Sequence, residues 1–339
     1  MDGEPRLVKT SPPTTRVTTS VCLAANYLRA GGVVALPTET VYGLGADAMN
    51  AKAVRAIFRA KGRPSDNPLI VHLTDMALVD RVARRIPASA EKLMAAFFPG
   101  PLTVIVPNHR DLPLEVTAGL DTVGIRCPGH PVAAAFLTAC GTPVAAPSAN
   151  RSGRPSPTSW SAVVEEMDGR IPCILKGGAA RVGLESTVVD CTTARPLVLR
   201  QGGVTVEALR EVIPSIRLVS AATSGDEPAR SPGMKYRHYA PKPTVVLVEN
   251  AAEIPKHRSG VRWGFIGCTD EGIRAKPDRA CLVPEVPTYA QKLFHFFRVC
   301  ERAGVQVIYC QKVPERGLGR ALMDRLQRAA SDHPTHSAT

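Results

Sequence analysis

Short apolar runs alternate with helical stretches along the first two thirds of the chain. Eight of the runs have the length and residue types of buried strands. They are Val33 to Leu36, Leu69 to Leu73, Leu102 to Val106, Val123 to Arg126, Val144 to Ala146, Ile171 to Leu175, Thr187 to Asp190 and Leu197 to Leu199. Helices are predicted over Val132 to Ala139, Trp160 to Met167 and Val206 to Val212. This alternation predicts an α/β domain.

The two strands predicted over Thr187 to Asp190 and Leu197 to Leu199 follow each other with no room for a crossover helix. Strands joined in that way pair antiparallel. We therefore expect a mixed, twisted, open sheet covered by helices.

A second, smaller α/β unit is predicted after a linker. Residues 214 to 243 shift in composition to Ser, Gly, Pro and charged residues, which is typical of a linker. Apolar runs and helical stretches then resume at Val245 to Val248, Gly264 to Ile266, Tyr289 to Arg302, Val305 to Tyr309 and Gly319 to Ala329. With 339 residues, two domains are expected. The predicted organisation is a mobile tail over 1–19, a main domain over 20–212, a linker over 213–243 and a second domain over 244–330.

The cysteine pattern and the lack of a signal-peptide core or a membrane-length apolar run predict a cytoplasmic protein. The nine cysteines include no C-x-x-C pair and are odd in number, which argues against a disulfide framework or a common zinc site. The first twenty residues contain no apolar core of a signal peptide. No apolar run is long enough for a membrane span.

Three polar turns follow predicted strands or helices, and together they suggest one ligand crevice. The segment from Lys61 to His72 crowds two cations, an amide and a histidine between a helix, capped at Asn50 and followed by Gly62, and a strand. Hydroxyl groups, glycines and a carboxylate occupy 37–45, and hydroxyl groups, an amide and cations occupy 147–158. Ligands commonly bind where strands end. Each turn by itself could instead be a solvated basic loop or use its polar groups for local backbone bonds.

Several common catalytic motifs do not occur in this sequence. There is no G-x-x-x-x-G-K-[ST] phosphate loop, no H-E-x-x-H and no G-x-S-x-G. A site with discrete cations and no nucleophile–base pair acts by positioning and charge neutralisation, which suits attack at phosphorus.

The three turns resemble the YrdC-type threonylcarbamoyl-AMP synthase family, whose hallmark is a K-x-R pair followed downstream by S-x-N. Here these residues are Lys61, Arg63, Ser148 and Asn150. The family order continues through the blocks at 98–103, 122–128, 184–190 and 199–203, so the resemblance covers about residues 20–212. The segment from Ser231 to Pro241 resembles the linker of the long, two-domain members.

The resemblance implies a YrdC-like domain followed by a Rossmann-like domain without a dinucleotide fingerprint. It implies that L-threonine, bicarbonate or carbon dioxide and ATP give threonylcarbamoyl-AMP and pyrophosphate. Mg²⁺ would accompany ATP, with no metal ligands from the protein and no organic cofactor. A downstream tRNA threonylcarbamoyl transferase complex would then modify the adenosine beside the anticodon.

The resemblance also implies roles for individual residues. The catalytic cations would be Lys61 and Arg63. The residues around threonine would be Thr40, His72, Arg126, Ala146 and Ser186. The residues in contact with ATP would be Arg63, Asn67, Thr122, Ser148, Asn150, Ser156, Arg200 and Tyr239.

Other interpretations of these residues remain open. His72 could be a core histidine, Thr40 a turn residue and Ser186 a strand-edge hydroxyl. Glu39 and Glu185 are the nearest acids for magnesium or proton handling, but we predict that both form structural pairs. Tyr239 and His238 could anchor the linker to the surface, or the linker could be a lid that contacts ATP.

The net charge of +12 admits a rival function. The cations of the motifs could serve ATP and the threonine carboxylate. Alternatively, the chain could be an RNA- or ribosome-binding protein without catalysis, whose extra patch would contain Arg81, Arg84 and Arg85. No aromatic-rich RNA motif or zinc knuckle accompanies that patch. A carbamoyl transfer domain of hydrogenase maturation is a further rival, but the acylphosphatase-like and zinc-finger segments of those larger chains are not visible here.

Overall fold

The structure is a computed structural model that describes residues 14–219, 239–256 and 260–330. Most of the expected tail and most of the expected linker, including His238, lie outside these residues. The predicted motif from Ser231 to Pro241 is therefore described only at its end.

The first domain contains eleven strands and seven α-helices within the described residues. The strands are β1 (Arg16–Thr18), β2 (Val34–Leu36), β3 (Gly43–Asp47), β4 (Ile70–His72), β5 (Leu102–Pro107), β6 (Thr122–Arg126), β7 (Val144–Ala145), β8 (Cys173–Leu175), β9 (Thr187–Asp190), β10 (Leu197–Arg200) and β11 (Arg217–Leu218). The helices are α1 (Val21–Arg29), α2 (Ala51–Lys61), α3 (Ala88–Phe97), α4 (Leu114–Thr117), α5 (Pro131–Cys140), α6 (Trp160–Met167) and α7 (Val206–Val212). A 3-10 helix covers Met76–Arg81.

These strands form one mixed sheet, as the sequence predicts. Their order is β1-β8-β2-β3-β7-β4-β6-β5-β9-β10-β11. β9 and β10 pair antiparallel, which confirms the prediction from their short connection. β4 and β6, which carry candidate site residues at their ends, are parallel neighbours.

The helix before the K-x-R turn forms for the reasons that its sequence suggests. The Asn50 side chain accepts from the Ala53 amide and caps α2, while Gly62 ends it in the left-handed conformation at φ 61°. Val54, Ile57 and Phe58 lie on its buried face. The helix therefore fixes the point at which the chain enters the K-x-R turn.

Two expectations about the domain ends are wrong. The expected mobile tail includes β1, which pairs in parallel with β8, and the Thr15 hydroxyl donates to the Ile171 carbonyl at 2.7 Å. The expected linker begins with β11, which pairs in parallel with β10. Both strands have only two or three residues, too few for a hydrophobic period to be recognised.

The second domain is a parallel sheet with helices on one face. Its elements are β12 (Thr244–Val248), β13 (Trp263–Gly267), β14 (Arg279–Leu282), α8 (Val286–Arg302), β15 (Val307–Gln311) and α9 (Leu318–Ala330), with a 3-10 helix over Ala251–Glu253. The strand order is β12-β15-β13-β14. β14 was not predicted because its residues are mostly exposed and carry no apolar alternation.

The two domains share a continuous core. Val41 and Leu184 of the first domain belong to the same buried cluster as Leu293 and Phe297 of α8. Gly183, with φ +78°, allows this contact because a Cβ there would stand 2.3 Å from the Gln291 Cα. The second domain is thus packed directly against the segment that leads into β9.

Candidate functional site

One cavity brings the K-x-R and S-x-N segments together. It encloses about 640 Å³ of space, including its open mouth. Ten predicted site residues line it: Arg63, His72, Arg126, Ala146, Ser148, Asn150, Ser156, Ser186, Arg200 and Tyr239. Four do not line it, namely Thr40, Lys61, Asn67 and Thr122. The expected shared crevice therefore exists, with part of the predicted set behind its walls.

Three neighbouring strands deliver the first wall of the cavity. His72 at the end of β4 pairs in register with Arg126 at the end of β6. The Ala146 amide, just beyond β7, donates to the Ile70 carbonyl at 2.9 Å. We call His72, Arg126, Ala146 and the buried Glu39 behind them the strand wall.

Arg126 and Glu39 form a buried ion pair at the centre of the strand wall. Arg126 Nη2 donates to Glu39 Oε1 at 2.8 Å, and both residues are buried. Burial alone would raise the pKa of Glu39, but the charge and hydrogen bond of Arg126 hold the pKa below its ordinary value. The predicted structural pairing of Glu39 is therefore confirmed. The pairing anchors the Arg126 guanidinium through Nη2, whereas its Nε has no hydrogen-bond partner among the residues that the structure describes.

His72 is a neutral imidazole in this setting. Burial and the nearby Arg126 charge lower the pKa of His72 to about 3. Its Nδ1 lies 3.2 Å from the Ile70 carbonyl. At neutral pH the ring can therefore accept one hydrogen bond without bringing a second positive charge beside Arg126.

Thr40 lies behind the cavity rather than at its surface. Its hydroxyl is 2.8 Å from that of Thr38, which donates to the Val41 carbonyl. Thr38 lines the cavity, and nothing in its sequence position distinguished it from Thr40. These contacts agree with the interpretation of Thr40 as a turn residue. A direct contact between Thr40 and the substrate threonine stays a prediction.

Lys61 binds the backbone of the S-x-N loop. Its fully buried ammonium donates to the carbonyls of Ser148 and Asn150, the second at 2.6 Å. The Lys61 carbonyl accepts in turn from the Ser152 amide. Burial, and then the Arg63 charge, lower the pKa of Lys61 well below its ordinary value. Lys61 thus orders the loop in this structure, and its predicted contact with substrate charge stays a prediction.

In the turn after Lys61, the Arg63 side chain bonds the backbone of the same turn, and the Asn67 side chain is buried. Arg63 Nη2 donates to the carbonyls of Asn67 and Pro68 at 3.2 and 3.1 Å. Asn67 is 1% exposed, and neither polar atom of its side chain has a hydrogen-bond partner within the described part of the chain. Burying an amide without hydrogen bonds is energetically costly. The Asn67 side chain can therefore form hydrogen bonds with a bound ligand or after a movement of the turn.

Thr122 lies at the far end of β6 from Arg126. It lines a neighbouring depression of about 270 Å³ together with Pro68, Ile70 and Gly124. Ile70 belongs to both cavities. The structure therefore separates Thr122 from the main set but places it along the same sheet surface.

The opposite wall centres on Glu185 and Ser186. Ser156 Oγ donates to Glu185 Oε1 at 2.6 Å, and Arg325 Nε of α9 donates to Glu185 Oε2 at 2.9 Å. Arg200 Nη2 donates to Ser186 Oγ at 3.1 Å. The predicted structural pairing of Glu185 is confirmed, but its partner Arg325 was missed. The burial of Arg325 is indicated by its place on the apolar face of α9, between Leu322 and Leu326, but no local pattern identifies Glu185 as its partner.

Tyr239 enters this wall from the end of the linker. Its backbone has φ 71°, which is uncommon for a residue other than glycine. Its ring stacks on Phe294 at a centroid distance of 5.5 Å, and the Arg325 guanidinium lies 5.2 Å from its centroid. We call Ser156, Glu185 and Tyr239, with Arg325 behind them, the docked wall.

The described residues offer no ready site for a protein-bound divalent cation. Within 14–219, 239–256 and 260–330, no group of three or more His, Cys, Asp or Glu residues has the required arrangement. Glu185 lines the cavity and Glu39 lies behind the strand wall, and both carboxylates are engaged by arginines. The same part of the chain contains no helix long and apolar enough to cross a membrane.

Comparison with known proteins gives the family of the chain. Residues 26–202 match a family model described as telomere recombination, and residues 204–331 match the C-terminal domain of threonylcarbamoyl-AMP synthase. The chain is 43% identical to a threonylcarbamoyl-AMP synthase of Pyrococcus abyssi, covering 91% of this chain and 93% of the relative. It is 42% identical to one of Bacillus subtilis, covering 91% and 92%.

A solved structure resembles this fold over nearly its full length. It is the crystal structure of Sua5 from Pyrococcus abyssi complexed with L-threonine, with 41% identity and a TM-score of 0.85. The match covers 92% of this chain and 94% of that chain.

Proposed function

The chain belongs to the threonylcarbamoyl-AMP synthase family, in its two-domain form, and from this premise we propose its reaction. It is a nucleotidyltransferase that converts L-threonine, bicarbonate or carbon dioxide, and ATP into threonylcarbamoyl-AMP and pyrophosphate. The observation that carries the proposal is the convergence of Arg63, Arg126 and Arg200 on one cavity from three distant segments. The phosphates of ATP and the carboxylate of threonine need that concentration of positive charge.

Threonine binds at the strand wall. Arg126 pairs with the threonine carboxylate while Glu39 holds the guanidinium in place. The neutral His72 accepts a hydrogen bond from the threonine amine or hydroxyl group. Ala146 leaves room beside it, and Ser186, paired with Thr103 at 2.8 Å, closes the site.

ATP extends from the cations toward the docked wall and along the sheet. Arg63, Ser148 and Arg200 contact its phosphates, and Ser156 and Tyr239 contact the nucleoside side. Thr122 contacts the nucleotide from the neighbouring depression. Among the described residues, both polar side-chain atoms of Asn67 and the Oδ1 of Asn150 lack partners, so Asn67 can donate and accept a hydrogen bond when the ligand is present and Asn150 can accept one.

The reaction proceeds by positioning rather than by a protein nucleophile. The threonine amine attacks the carbon of bicarbonate or carbon dioxide and forms a carbamate, with release of water in the case of bicarbonate and of a proton from the nitrogen in the case of carbon dioxide. A carbamate oxygen then attacks the α-phosphorus, and the bond to the pyrophosphate oxygen breaks. The arginines stabilise the charge that develops on the phosphorus oxygens and the leaving group.

Mg²⁺ enters as part of the Mg–ATP substrate. Glu39 and Glu185 are both paired with arginines, so the described residues do not fit a resident metal, and no step is assigned to one. The product passes to a tRNA threonylcarbamoyl transferase complex. Direct tRNA binding by this chain has no support in the sequence and is not part of the proposed function.

Mass spectrometry of a defined reaction tests the proposal. The protein is mixed with Mg–ATP, threonine and bicarbonate, and threonylcarbamoyl-AMP and pyrophosphate should appear only when all substrates are present. Nucleotide binding without that product would contradict the proposed reaction. A steeply salt-dependent RNA affinity without product would instead favour the RNA-binding function.

A further inference from the structure

An arginine of the second domain reaches the wall of the cavity in the first. Arg325 on α9 is fully buried, with 0% of its surface exposed. Its Nε donates to Glu185 Oε2 at 2.9 Å, and its Nη2 donates to the Gln201 carbonyl at 2.9 Å. Its Nη1 bonds the neighbouring Asp324. Every nitrogen of the guanidinium is therefore used, and two of the three bonds cross to the first domain.

Glu185 passes this contact on to the cavity. Its second oxygen accepts the Ser156 hydroxyl at 2.6 Å, and Ser156 is 1% exposed. The relay from Arg325 through Glu185 to Ser156 is thus buried along its length. The Tyr239 ring lies against the Arg325 guanidinium, so the same arginine contacts two residues that line the cavity.

We propose that Arg325 is a positioning residue for the nucleotide half of the site, acting through Glu185 on Ser156. This inference rests on the proposed function for the identity of the ligand. Arg325 touches no reacting atom; it fixes the carboxylate that orients the serine. The second domain therefore contributes directly to the shape and charge of the ligand-binding cavity.

The relay determines what Ser156 can offer a ligand. Because an ionised Glu185 can only accept, the Ser156 proton is committed to the carboxylate. Toward the cavity, Ser156 then presents oxygen lone pairs. It accepts from a donor of the nucleoside, such as a sugar hydroxyl or an amino group, rather than donating to a phosphate oxygen.

The relay also predicts a pH dependence. Burial raises the pKa of Glu185, whereas the charges of Arg325 and Arg200 and the hydrogen bond of Ser156 lower it, and the lowering prevails. Tyr239 faces the same carboxylate from the linker side. Without Arg325 the Glu185 pKa rises, so the carboxylate becomes protonated at higher pH. The acid limb of the activity profile should move to higher pH.

The test compares Arg325→Met with Arg320→Met. Arg320 lies on the same helix and also crosses to the first domain, but its pair with Glu207 is 3.4 Å long and partly exposed. ATP affinity is measured by titration calorimetry, and kcat/KM for ATP is measured from pH 5 to 9. For Arg325→Met we expect a loss on the order of tenfold to a hundredfold in both. We also expect the acid limb to move to higher pH. Arg320→Met should match the unaltered protein.

Two further variants separate positioning from folding. Arg325→Lys keeps the charge but cannot bridge Glu185 and Gln201 as a fork, so it should lose ATP affinity without moving the acid limb. Arg325→Met combined with Glu185→Gln removes the unpaired charge and leaves an amide oxygen to accept from Ser156. That double variant should bind ATP more tightly than Arg325→Met does. Its activity profile should not show the acid limb that moved to higher pH in Arg325→Met.

The outcomes distinguish this inference from the proposed function. If the unaltered protein binds ATP but makes no threonylcarbamoyl-AMP, the proposed function fails while the calorimetric comparison still tests Arg325. Equal ATP affinity in Arg325→Met and Arg320→Met would overturn the positioning role. If Arg325→Met does not fold, an unchanged ATP affinity in Arg325→Lys would overturn it.

Discussion

The strand wall and the docked wall of the cavity differ in the origin of their charges. In the strand wall, Arg126 and its partner Glu39 both belong to the first domain and lie 2.8 Å apart. In the docked wall, Glu185 is paired with Arg325 from the second domain. A buried charge is stable only beside its partner. The strand wall can therefore form within the first domain, whereas the docked wall forms only when the second domain is packed against the first. The comparison predicts that threonine and ATP binding respond differently to changes at the domain interface.

The largest effect is expected from Arg126→Met, which breaks the strand wall. It removes the threonine carboxylate contact and leaves the Glu39 carboxylate buried without its partner. Threonine affinity should fall by about a hundredfold or more. The free energy of unfolding should fall by about 3–5 kcal/mol. Calorimetry and urea denaturation measure the two quantities.

A double variant separates these two consequences of Arg126→Met. Adding Glu39→Gln removes the unpaired charge, so stability should largely return while threonine affinity stays low. Wild-type threonine affinity in either variant would show that the strand wall is not the threonine site.

The next effect is expected from Gly183→Ala, which acts on the docked wall from outside the cavity. An added Cβ would stand 2.3 Å from the Gln291 Cα and 2.5 Å from the Ala290 carbonyl, so α8 must shift. Arg325 would then lose its alignment with Glu185. ATP affinity should fall by about tenfold or more, because small misplacements are costly at such sites. Threonine affinity should fall less than ATP affinity, since Arg126 and His72 lie on β6 and β4 of the first domain.

Gly141→Ala is the matched control for this backbone change. Gly141 also has positive φ, at 64°, but an added Cβ would meet no atom within 4 Å. It should cost about 1 kcal/mol of stability from backbone strain and leave both affinities unchanged. Equal losses of ATP and threonine affinity in Gly183→Ala would remove the proposed difference between the walls.

A smaller effect concerns the pH dependence of the strand wall. The folded pKa of His72 is lowered to about 3 from an ordinary 6.5. Between these values the unfolded chain binds a proton that the folded chain does not, so stability is lost as pH falls from 6.5 toward 3. His72→Gln should reduce the slope of unfolding free energy against pH by up to about 1.4 kcal/mol per pH unit. Parallel slopes in urea denaturation at pH 7, 6 and 5 would contradict a neutral buried His72.

The same contrast explains which parts of the fold and site could be predicted from the sequence. Long apolar runs such as Leu102 to Val106 and the capped helix α2 follow local rules, and the structure has them nearly as expected. The strands β1 and β11 are held mainly by pairing with distant strands, which no local pattern encodes. Short polar strands of this kind depend on tertiary context.

The candidate site shows the same division. The residues of the K-x-R and S-x-N segments could be recognised because their order along the chain is distinctive. Arg325 could not, because its role arises only when α9 docks beside Glu185, 140 residues earlier in the chain. Lys61 and Thr40 were recognised by motif but lie behind the cavity, since a motif gives residue types and not the direction of a side chain.

The smallest effect is expected from Arg302→Ala, which tests whether interface contacts away from the cavity matter. Arg302 is one turn beyond Arg298 on α8, and both reach α6 of the first domain. Arg298 is 3% exposed and donates to Glu166 at 2.9 Å, whereas the Arg302 side chain is 55% exposed and pairs with Glu165 at 3.1 Å. An exposed pair contributes at most about 1 kcal/mol, so Arg302→Ala should change stability by no more than that and leave ATP affinity unaltered.

Arg298→Ala is the buried counterpart of that variant. It removes the buried partner of Glu166, although Arg151 still donates to this carboxylate at 3.0 Å and Arg154 Nε lies 3.6 Å from it. It should therefore lower the free energy of unfolding more than Arg302→Ala does, by about 3 kcal/mol. It should also lower ATP affinity, because Arg298 binds the Pro155 carbonyl beside Ser156. If Arg302→Ala weakened ATP binding as much as Arg298→Ala, the docked wall would depend on the interface as a whole rather than on its buried arginines.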